Sequence, residues 1–334
     1  MCVIWVDDCL FFCKDKQQIN DSIKELSKHM PLTKEDSVIA FLGIKIERNN
    51  SSYTLSQPGL IQKIIEAVDM VDCNSAKTPA ASVPISTDPD GISHNEIWEY
   101  RSLVGMLMFL ANNTSRPDIA YATHQCARFS HSPKASHSLA IKRIVRYLKG
   151  TPEMGIIMTP TKTLTVDCYV DADFAGLFGA EDSQNPICAK SRTGYVLFLA
   201  NCPLMWVSKM QTEIASSTME SEYIALSQSM RDLIPVRRLL QLICDTILPE
   251  QIQNANIHSS VIEDNSGALQ LARVPRITPR TKHYAIKYHF FREYVKKGDI
   301  KLYKIETTKQ RADIFTKGLV QAVFETIRKL LMGW

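Results

Sequence analysis

The sequence lacks several features that would mark a specialised class of protein. Its nine cysteines include no Cys-x-x-Cys pair and no paired histidine spacing, which excludes a zinc site or a disulfide framework. No apolar run is long enough to cross a membrane, and the apolar residues 1–6 run into Asp7-Asp8 without the basic segment of a signal peptide. No internal repeat is visible. We therefore expect an intracellular protein, of the cytoplasm or nucleus, with no membrane partner.

Positive and negative charges are also nearly balanced. The chain has 39 Lys and Arg against 35 Asp and Glu, and this net charge of +4 permits a nucleic-acid partner without arguing strongly for one. Hydrophobic residues make up 45%, which is ordinary for a globular protein. At 334 residues the chain exceeds what one core usually serves, so we expect two or three domains. Because it opens within a strand-like run, we also expect it to be part of something longer.

The hydrophobic pattern of the first half predicts short elements followed by a helical region. A hairpin that turns at Asp7-Asp8, a helix, two strands and a second helix are expected at 1–13, 16–29, 38–47, 52–55 and 59–70. A stretch rich in proline, serine and threonine at 78–93 predicts a linker, and residues 94–150 predict three helices. We therefore expect domains at 1–77 and 94–160, and a third at 161–334.

The C-terminal half predicts alternating strands and helices. Strands are expected at 164–174, 193–200 and 204–208, in a run ending at Asp264, and at 300–305, with helices at 217–245, 283–297 and from Ala312 onward. Three strands, helix, strand, helix, strand and helix is the order of an α/β fold with a mixed five-stranded sheet.

Four acidic residues of this half lie in four different segments: Asp171, Glu220, Asp264 and Asp313. A fold that gathers the ends of two strands and the first turns of two helices would bring these carboxylates together. Carboxylates packed so closely raise each other's pKa unless a divalent cation lies among them. A pair of Mg²⁺ ions, which take oxygen ligands, would suit such a site and would support phosphodiester hydrolysis. The alternative is that each acid is ordinary solvated surface.

Two further acids lie two residues from members of this set. On a strand, residues i and i+2 share a face, so Asp173 is able to reach the site, although we expect it at the surface. On a helix, i+2 points elsewhere, so we expect Glu222 to point away from the site that Glu220 faces.

Motifs along the whole chain carry a resemblance to a known family. They include Trp5-Val-Asp-Asp8, Tyr100-Arg-Ser-Leu-Val-Gly105, Arg146-Tyr-Leu-Lys-Gly-Thr151, Ser217-Thr-Met-Glu-Ser-Glu-Tyr223 and Gln310-Arg-Ala-Asp-Ile-Phe-Thr-Lys317. With these motifs the sequence resembles the C-terminal part of a Ty1/copia-type retrotransposon Pol polyprotein. That part is the end of a reverse transcriptase followed by its ribonuclease H.

The resemblance implies a fold and an activity. The fold would be a partial reverse-transcriptase palm and a helical thumb or connection, followed by a ribonuclease H-like domain. Asp171, Glu220, Asp264 and Asp313 would be its catalytic metal ligands, with Asp171 shared by two Mg²⁺ ions, for which Mn²⁺ is an alternative. The expected reaction is hydrolysis of the RNA strand of an RNA–DNA hybrid. The loop 306–311 contains no histidine, so we expect no assisting histidine there.

The resemblance also assigns residues outside the nuclease site. Asp7 and Asp8 match the paired aspartates of the polymerase palm. A polymerase needs another aspartate on an upstream strand, so we expect the polymerase site to be incomplete and inactive. Basic residues are expected to contact nucleic acid, although a solvated helix face is the alternative for the first three: Lys142, Arg143, Arg146, Arg280, Lys282 and Arg292.

Two other functions remain open from the sequence. One alternative is a non-catalytic remnant that binds RNA or an RNA–DNA hybrid. The other alternative is an assembly partner that supplies a ribonuclease H half to an intact reverse transcriptase.

Overall fold

The computed structural model describes residues 1–35, 37–112, 114–247, 257–273 and 288–334. The first elements form a hairpin and a small antiparallel sheet: β1 Cys2–Trp5, β2 Asp8–Phe11, α1 Lys16–Leu26, β3 Ala40–Phe41, β4 Ile44–Asn49, β5 Ser52–Ser56 and α2 Pro58–Ala67. The predicted hairpin is confirmed, but its turn is Val6-Asp7, because Asp8 already pairs with Trp5 as the first residue of β2.

A helical region follows: α3 Tyr100–Ala111, α4 Ala120–Ala127 and α5 Ala135–Lys149. The chain then returns as β6, Ile156–Met158, which pairs with β5 and completes a four-stranded antiparallel sheet in the order β3-β4-β5-β6. The sequence pattern did not predict β6, because three residues are too few to show a periodicity.

The C-terminal half contains these described elements: β7 Thr165–Asp173, β8 Arg192–Leu199, β9 Cys202–Met210, α6 Thr218–Ile247, β10 His258–Glu263, α7 Ser266–Arg273, α8 Arg292–Lys297, β11 Ile300–Lys304 and α9 Gln321–Met332. A short 3-10 helix at Arg311–Phe315 precedes α9, so the last helix begins later than the predicted Ala312. The start of the helix predicted at 283–297 lies outside the described residues.

The five-stranded sheet has the order β11-β10-β7-β8-β9. β7, β8 and β9 are antiparallel neighbours, whereas β10 runs parallel to β7 and β11 parallel to β10. This confirms the predicted mixed α/β sheet. The alternation of a strand puts Val166, Cys168 and Val170 on one face of β7, where they are fully buried against the core that includes α6.

The other face of this sheet packs against the helical region. One hydrophobic core contains Leu103 and Leu107 of α3, Phe198 of β8, Trp206 of β9 and Phe324 of α9. The indole nitrogen of Trp206 also donates to the carbonyl of Ala111 at 2.6 Å. The regions at 94–160 and 161–334 therefore share a core and pack as adjacent layers.

Residues 78–93, expected as a linker, are held against α4 and α5 by hydrogen bonds. Arg143 of α5 donates to the hydroxyl of Thr78 at 2.8 Å, and Arg128 at the end of α4 donates to the carbonyl of Ile85 at 3.2 Å. Nearby, Arg116 and Asp118 form a fully buried ion pair at 2.8 Å. The hydroxyl of Tyr147 donates to the same carboxylate at 2.6 Å, so the helical region contains a closed polar network.

No helix in the described part of the chain combines the length and hydrophobicity needed to span a lipid bilayer.

Candidate metal centre

Asp171 and Asp264 lie at the same edge of the five-stranded sheet. The parallel register of β7 and β10 pairs Tyr169 with Ile262, and each aspartate follows two residues later in its own segment. Because neighbouring parallel strands end at one edge, the two carboxylates meet there. Asp171 is buried, with 3% of its surface exposed, while Asp264 is half-buried.

Asp313 reaches this edge on the 3-10 helix Arg311–Phe315, not on the first turn of the last α-helix as predicted. Its carboxyl group lies close enough to Asp171 for the charge of Asp171 to raise the pKa of Asp313. Lys317, one helical turn later, forms an ion pair with Asp313 at 3.1 Å. The geometry therefore brings Asp171, Asp264 and Asp313 together, as the sequence predicted, and adds a lysine beside them.

The fourth carboxylate of the cluster belongs to Glu222, and the prediction that Glu222 points away is wrong. Glu222 is buried on the face of α6 that meets β7, and its carboxylate lies beside the backbone of Ala172. Oxygen atoms of Asp171, Glu222 and Asp264 lie within 4.8 Å of one another.

Glu220, predicted as the fourth ligand, is instead occupied at the start of α6. Its carboxylate accepts from the amide of Ser216 at 2.8 Å, and its own amide donates to the hydroxyl of Ser217 at 3.2 Å. The Ser217 hydroxyl therefore caps the helix, as the signature Ser217-x-x-Glu220 predicts, while the Glu220 carboxylate reaches back to Ser216, the residue before the cap. This signature in the sequence indicates that Glu220 binds backbone groups at the start of α6. Glu222, two residues later, is the glutamate that lies in the site.

A fifth acid, Glu263, lies against the cluster and was missed by sequence reasoning. It is fully buried, and one carboxylate oxygen accepts from the amide of Asn265 at 2.9 Å. Burial raises its pKa well above the usual value, and the nearby Asp171 and Asp264 raise it further. The signal was the alternation of β10, which puts Glu263 on the same inward face as Ser259 and Val261.

Burial and mutual repulsion dominate the electrostatics of the cluster. Burial is the main cause that raises the pKa of Asp171, and it raises that of Glu222 well above the ordinary range, with Glu263 as the next cause. Burial and then Asp171 raise the pKa of Asp313 to about 7, although Lys317 acts in the opposite direction. A site with this surplus of buried carboxylates favours the uptake of a cation.

The donor set fits a hard divalent cation. Three buried carboxylate oxygens in the described structure have no hydrogen-bond partner: Glu222 Oε2, Glu263 Oε2 and Asp313 Oδ1. Buried polar atoms are normally paired, so unpaired oxygens within a cluster of buried acids indicate missing ligands. Carboxylate oxygens are the donors that Mg²⁺ and Mn²⁺ take. Asp171, Glu222 and Asp264 can bind such an ion, with Asp313 beside them.

The other predicted site residues lie elsewhere. Asp7 and Asp8 are exposed on the separate β1–β2 hairpin. Asp173, expected at the surface, is half-buried, and burial raises its pKa to about 6. It belongs to the surroundings of the cluster.

Most of the predicted basic residues contact protein groups. Lys142 pairs with Glu96 at 2.7 Å, and Arg146 donates to the carbonyl of Asn74 at 2.7 Å. Arg143 is bonded to Thr78, and Arg292 donates to the carbonyl of Leu271 at 2.8 Å. Arg280 and Lys282 lie outside the described residues. Nucleic-acid binding by this set stays a prediction.

Known proteins are similar in sequence to this chain over nearly its whole length. Residues 1–82 match the family model described as reverse transcriptase (RNA-dependent DNA polymerase). The Retrovirus-related Pol polyprotein from transposon RE1 of Arabidopsis thaliana is 32% identical over 97% of this chain. A Putative transposon Ty5-1 protein of Saccharomyces cerevisiae is 30% identical over 69% of this chain and 72% of its own length.

The chain spans about a fifth of the length of the Pol polyproteins it matches, 21% in the case of transposon RE1. Among solved structures, the foamy viral protease-reverse transcriptase in complex with an RNA/DNA hybrid is similar over 92% of this chain and 36% of that one. Its sequence identity is 13% and its TM-score 0.48.

Proposed function

Because this chain belongs to the copia-type retrotransposon Pol family, we propose that its C-terminal half is a ribonuclease H. The reaction is divalent-metal-dependent hydrolysis of the RNA strand of an RNA–DNA hybrid, leaving 3′-hydroxyl and 5′-phosphate ends. The observation that carries the proposal is the cluster of Asp171, Glu222, Asp264 and Asp313 at one edge of a mixed five-stranded sheet.

In this proposal Asp171, Glu222 and Asp264 hold Mg²⁺ or Mn²⁺, and Asp313 completes the set for a second ion. Bound metal would polarise the scissile phosphate and lower the pKa of the attacking water. The chain itself provides a buried, rigid set of oxygens on two strands, a helix and a 3-10 turn. Such a set positions charge before the substrate arrives, which is the main contribution a protein makes to phosphoryl chemistry. Glu222 takes the role that the sequence had suggested for Glu220.

The proposed substrate follows from the family and from the chemistry of the site. A divalent cation held by carboxylates at the edge of a sheet would act on a phosphodiester backbone, and recognition of the RNA strand depends on contacts to its 2′-hydroxyl groups. Lys142, Arg143, Arg146, Arg280, Lys282 and Arg292 are proposed backbone contacts. Lys142, Arg143, Arg146 and Arg292 already bond to groups of the protein, so each would contact phosphate through its remaining donors.

A second role is favoured by the N-terminal hairpin. Residues 1–82 match the reverse transcriptase model, and apolar side chains of the hairpin are exposed, with Trp5 at 61% and Val6 at 82%. Exposed apolar patches of this kind commonly mark an interface. We infer that this hairpin packs into a larger palm, in which Asp7 and Asp8 supply two carboxylates of the polymerase site. The partner would be other parts of a reverse transcriptase.

The nuclease is tested with the full chain, since the sheet shares its core with the helical region. A hybrid labelled on either strand is incubated with the wild type and with Asp171→Asn, in Mg²⁺ and in EDTA. The expected result is cleavage of the RNA strand alone, only in Mg²⁺ and only by the wild type. Equal cleavage by Asp171→Asn, or a folded wild type that binds hybrid without cleaving it, would reject the proposed reaction.

A further inference from the structure

Thr316 lies next to the carboxylate of Asp171. It is fully buried, and its hydroxyl donates to Asp171 Oδ2 at 2.5 Å. The hydroxyl is also 3.2 Å from the carbonyl oxygen of Asp313, but a threonine has only one proton to donate. The shorter contact and the charge of the acceptor assign that proton to Asp171. We propose that Thr316 is a positioning residue that fixes the Asp171 carboxylate for metal binding, an inference that rests on the proposed function.

The backbone around Gly194 explains how Thr316 reaches this place. Gly194 is directly opposite Asp171 in the β7–β8 register. A Cβ atom at Gly194 would lie 2.6 Å from the methyl carbon of Thr316 and 2.8 Å from Cβ of Phe315. The absence of a side chain therefore lets the 3-10 turn approach the sheet, with the methyl group of Thr316 against β8 and its hydroxyl against Asp171.

The neutral hydroxyl of Thr316 orients the Asp171 carboxylate without adding a positive charge, whereas Lys317 adds one. Lys317 brings a positive charge to Asp313 at 3.1 Å, and a bound cation would compete with that charge. The hydroxyl of Thr316 restricts the rotation of the Asp171 carboxylate through one oxygen and leaves the other oxygen available. Outer partners that orient metal ligands in this way typically contribute 10- to 100-fold in affinity or activity.

The test compares Thr316→Val, Thr316→Ser, Thr326→Val and Asp171→Asn in the full chain. Valine replaces the hydroxyl by a methyl group of similar size, whereas serine keeps the hydroxyl and loses the methyl group. Thr326 lies exposed on α9 and serves as a matched threonine-to-valine control. Mn²⁺ affinity is measured by the electron paramagnetic resonance signal of the free ion, with no nucleic acid present. Thermal unfolding in EDTA checks that each variant is folded.

We expect Thr316→Val to weaken Mn²⁺ binding about 10- to 100-fold, with Thr316→Ser and Thr326→Val close to the wild type. Unchanged affinity in Thr316→Val would overturn the role of Thr316 while leaving the proposed nuclease intact. An equal loss in the serine variant would also overturn it, because packing of the methyl group would then be responsible. Wild-type binding no tighter than that of Asp171→Asn would reject the metal site itself, and the inference with it.

Discussion

Carboxylate oxygens of Glu222 and Asp171, the one on the first turns of α6 and the other near the end of the central strand, lie within 4.8 Å of each other. This contact joins the start of α6 to the end of β7 and puts a second buried acid beside the first. Glu220 lies only two residues earlier but turns back to the helix terminus, where it accepts from Ser216. The pair shows which of two neighbouring glutamates belongs to the candidate site.

Glu222→Gln is expected to stabilise the protein in EDTA. At neutral pH the buried Glu222 must either keep a charge beside other acids or take up a proton on folding, and both cost free energy. A neutral side chain of the same size avoids this cost, so the free energy of unfolding should rise by about 1–3 kcal/mol. Added Mg²⁺ should then stabilise the variant less than the wild type, because a ligand is lost. Melting curves with EDTA and with Mg²⁺ measure both effects. A variant less stable than the wild type in EDTA would contradict the account.

The stability of the metal-free protein should fall as the pH rises. The pKa of Asp313 is raised to about 7 by burial and by Asp171, so between its unfolded value of 3.8 and about 7 the folded state holds the extra proton. Its contribution is fully present at low pH and is lost through that window, about 2–3 kcal/mol between roughly pH 5 and pH 8. Asp171 and Glu222 act in the same direction.

The variant Asp313→Asn isolates this effect, because asparagine has no carboxyl group to titrate. His124, whose pKa is lowered to about 4 by burial, changes stability in the opposite direction but is present in both proteins. Chemical denaturation across this pH range in EDTA should therefore give a flatter profile for the variant. Parallel profiles for the two proteins would show that Asp313 does not titrate as described.

Arg116→Met should strongly destabilise the helical region. It leaves the carboxylate of Asp118 buried without its ion-pair partner, at an expected cost of about 3–5 kcal/mol. Lys28→Met, which breaks an exposed pair with Glu25, is the control and should cost less than about 1 kcal/mol. Urea denaturation measures both. Similar costs for the two variants would mean that the Arg116 network adds no more than a surface pair.

Gly194→Ala should disturb the metal site without touching a carboxylate. The added Cβ would collide with Thr316 and Phe315, so the 3-10 turn must shift and Asp313 with it. We expect a loss of about 1–3 kcal/mol in stability and weaker Mn²⁺ binding. Gly105→Ala, in α3 with no atom near the added carbon, should instead be neutral or stabilising by up to about 1 kcal/mol. Wild-type Mn²⁺ affinity in Gly194→Ala would argue against this packing.

The sequence predicted those parts of the fold that depend on local pattern. The five strands of the large sheet, their mixed order, and the meeting of Asp171, Asp264 and Asp313 followed from periodicity and from the family motifs. The family itself is confirmed by relatives that match along nearly the whole chain. A helix-face argument that starts from Glu220 excludes Glu222, but Glu220 itself turns back to Ser216 at the start of the helix.

Other features depend on tertiary packing and had no local signal. The contact of Trp206 with Ala111 joins residues that are 95 positions apart, and nothing in either segment predicts it. The same is true of residues 78–93, whose composition is typical of a linker although hydrogen bonds hold it on α4 and α5. The hydroxyl of Thr316 beside Asp171 depends on a glycine in a different strand. Such relationships require the folded chain.

The most direct measurement compares Glu222→Gln with Glu220→Gln in the full chain, by the rate of RNA cleavage in an RNA–DNA hybrid with Mg²⁺. Both substitutions remove one charge and keep the side chain's size, and the residues are two positions apart on one helix. We expect Glu222→Gln to lower the rate about 100-fold, while Glu220→Gln stays within about tenfold of the wild type. A rate lost in Glu220→Gln and kept in Glu222→Gln would contradict the site described here.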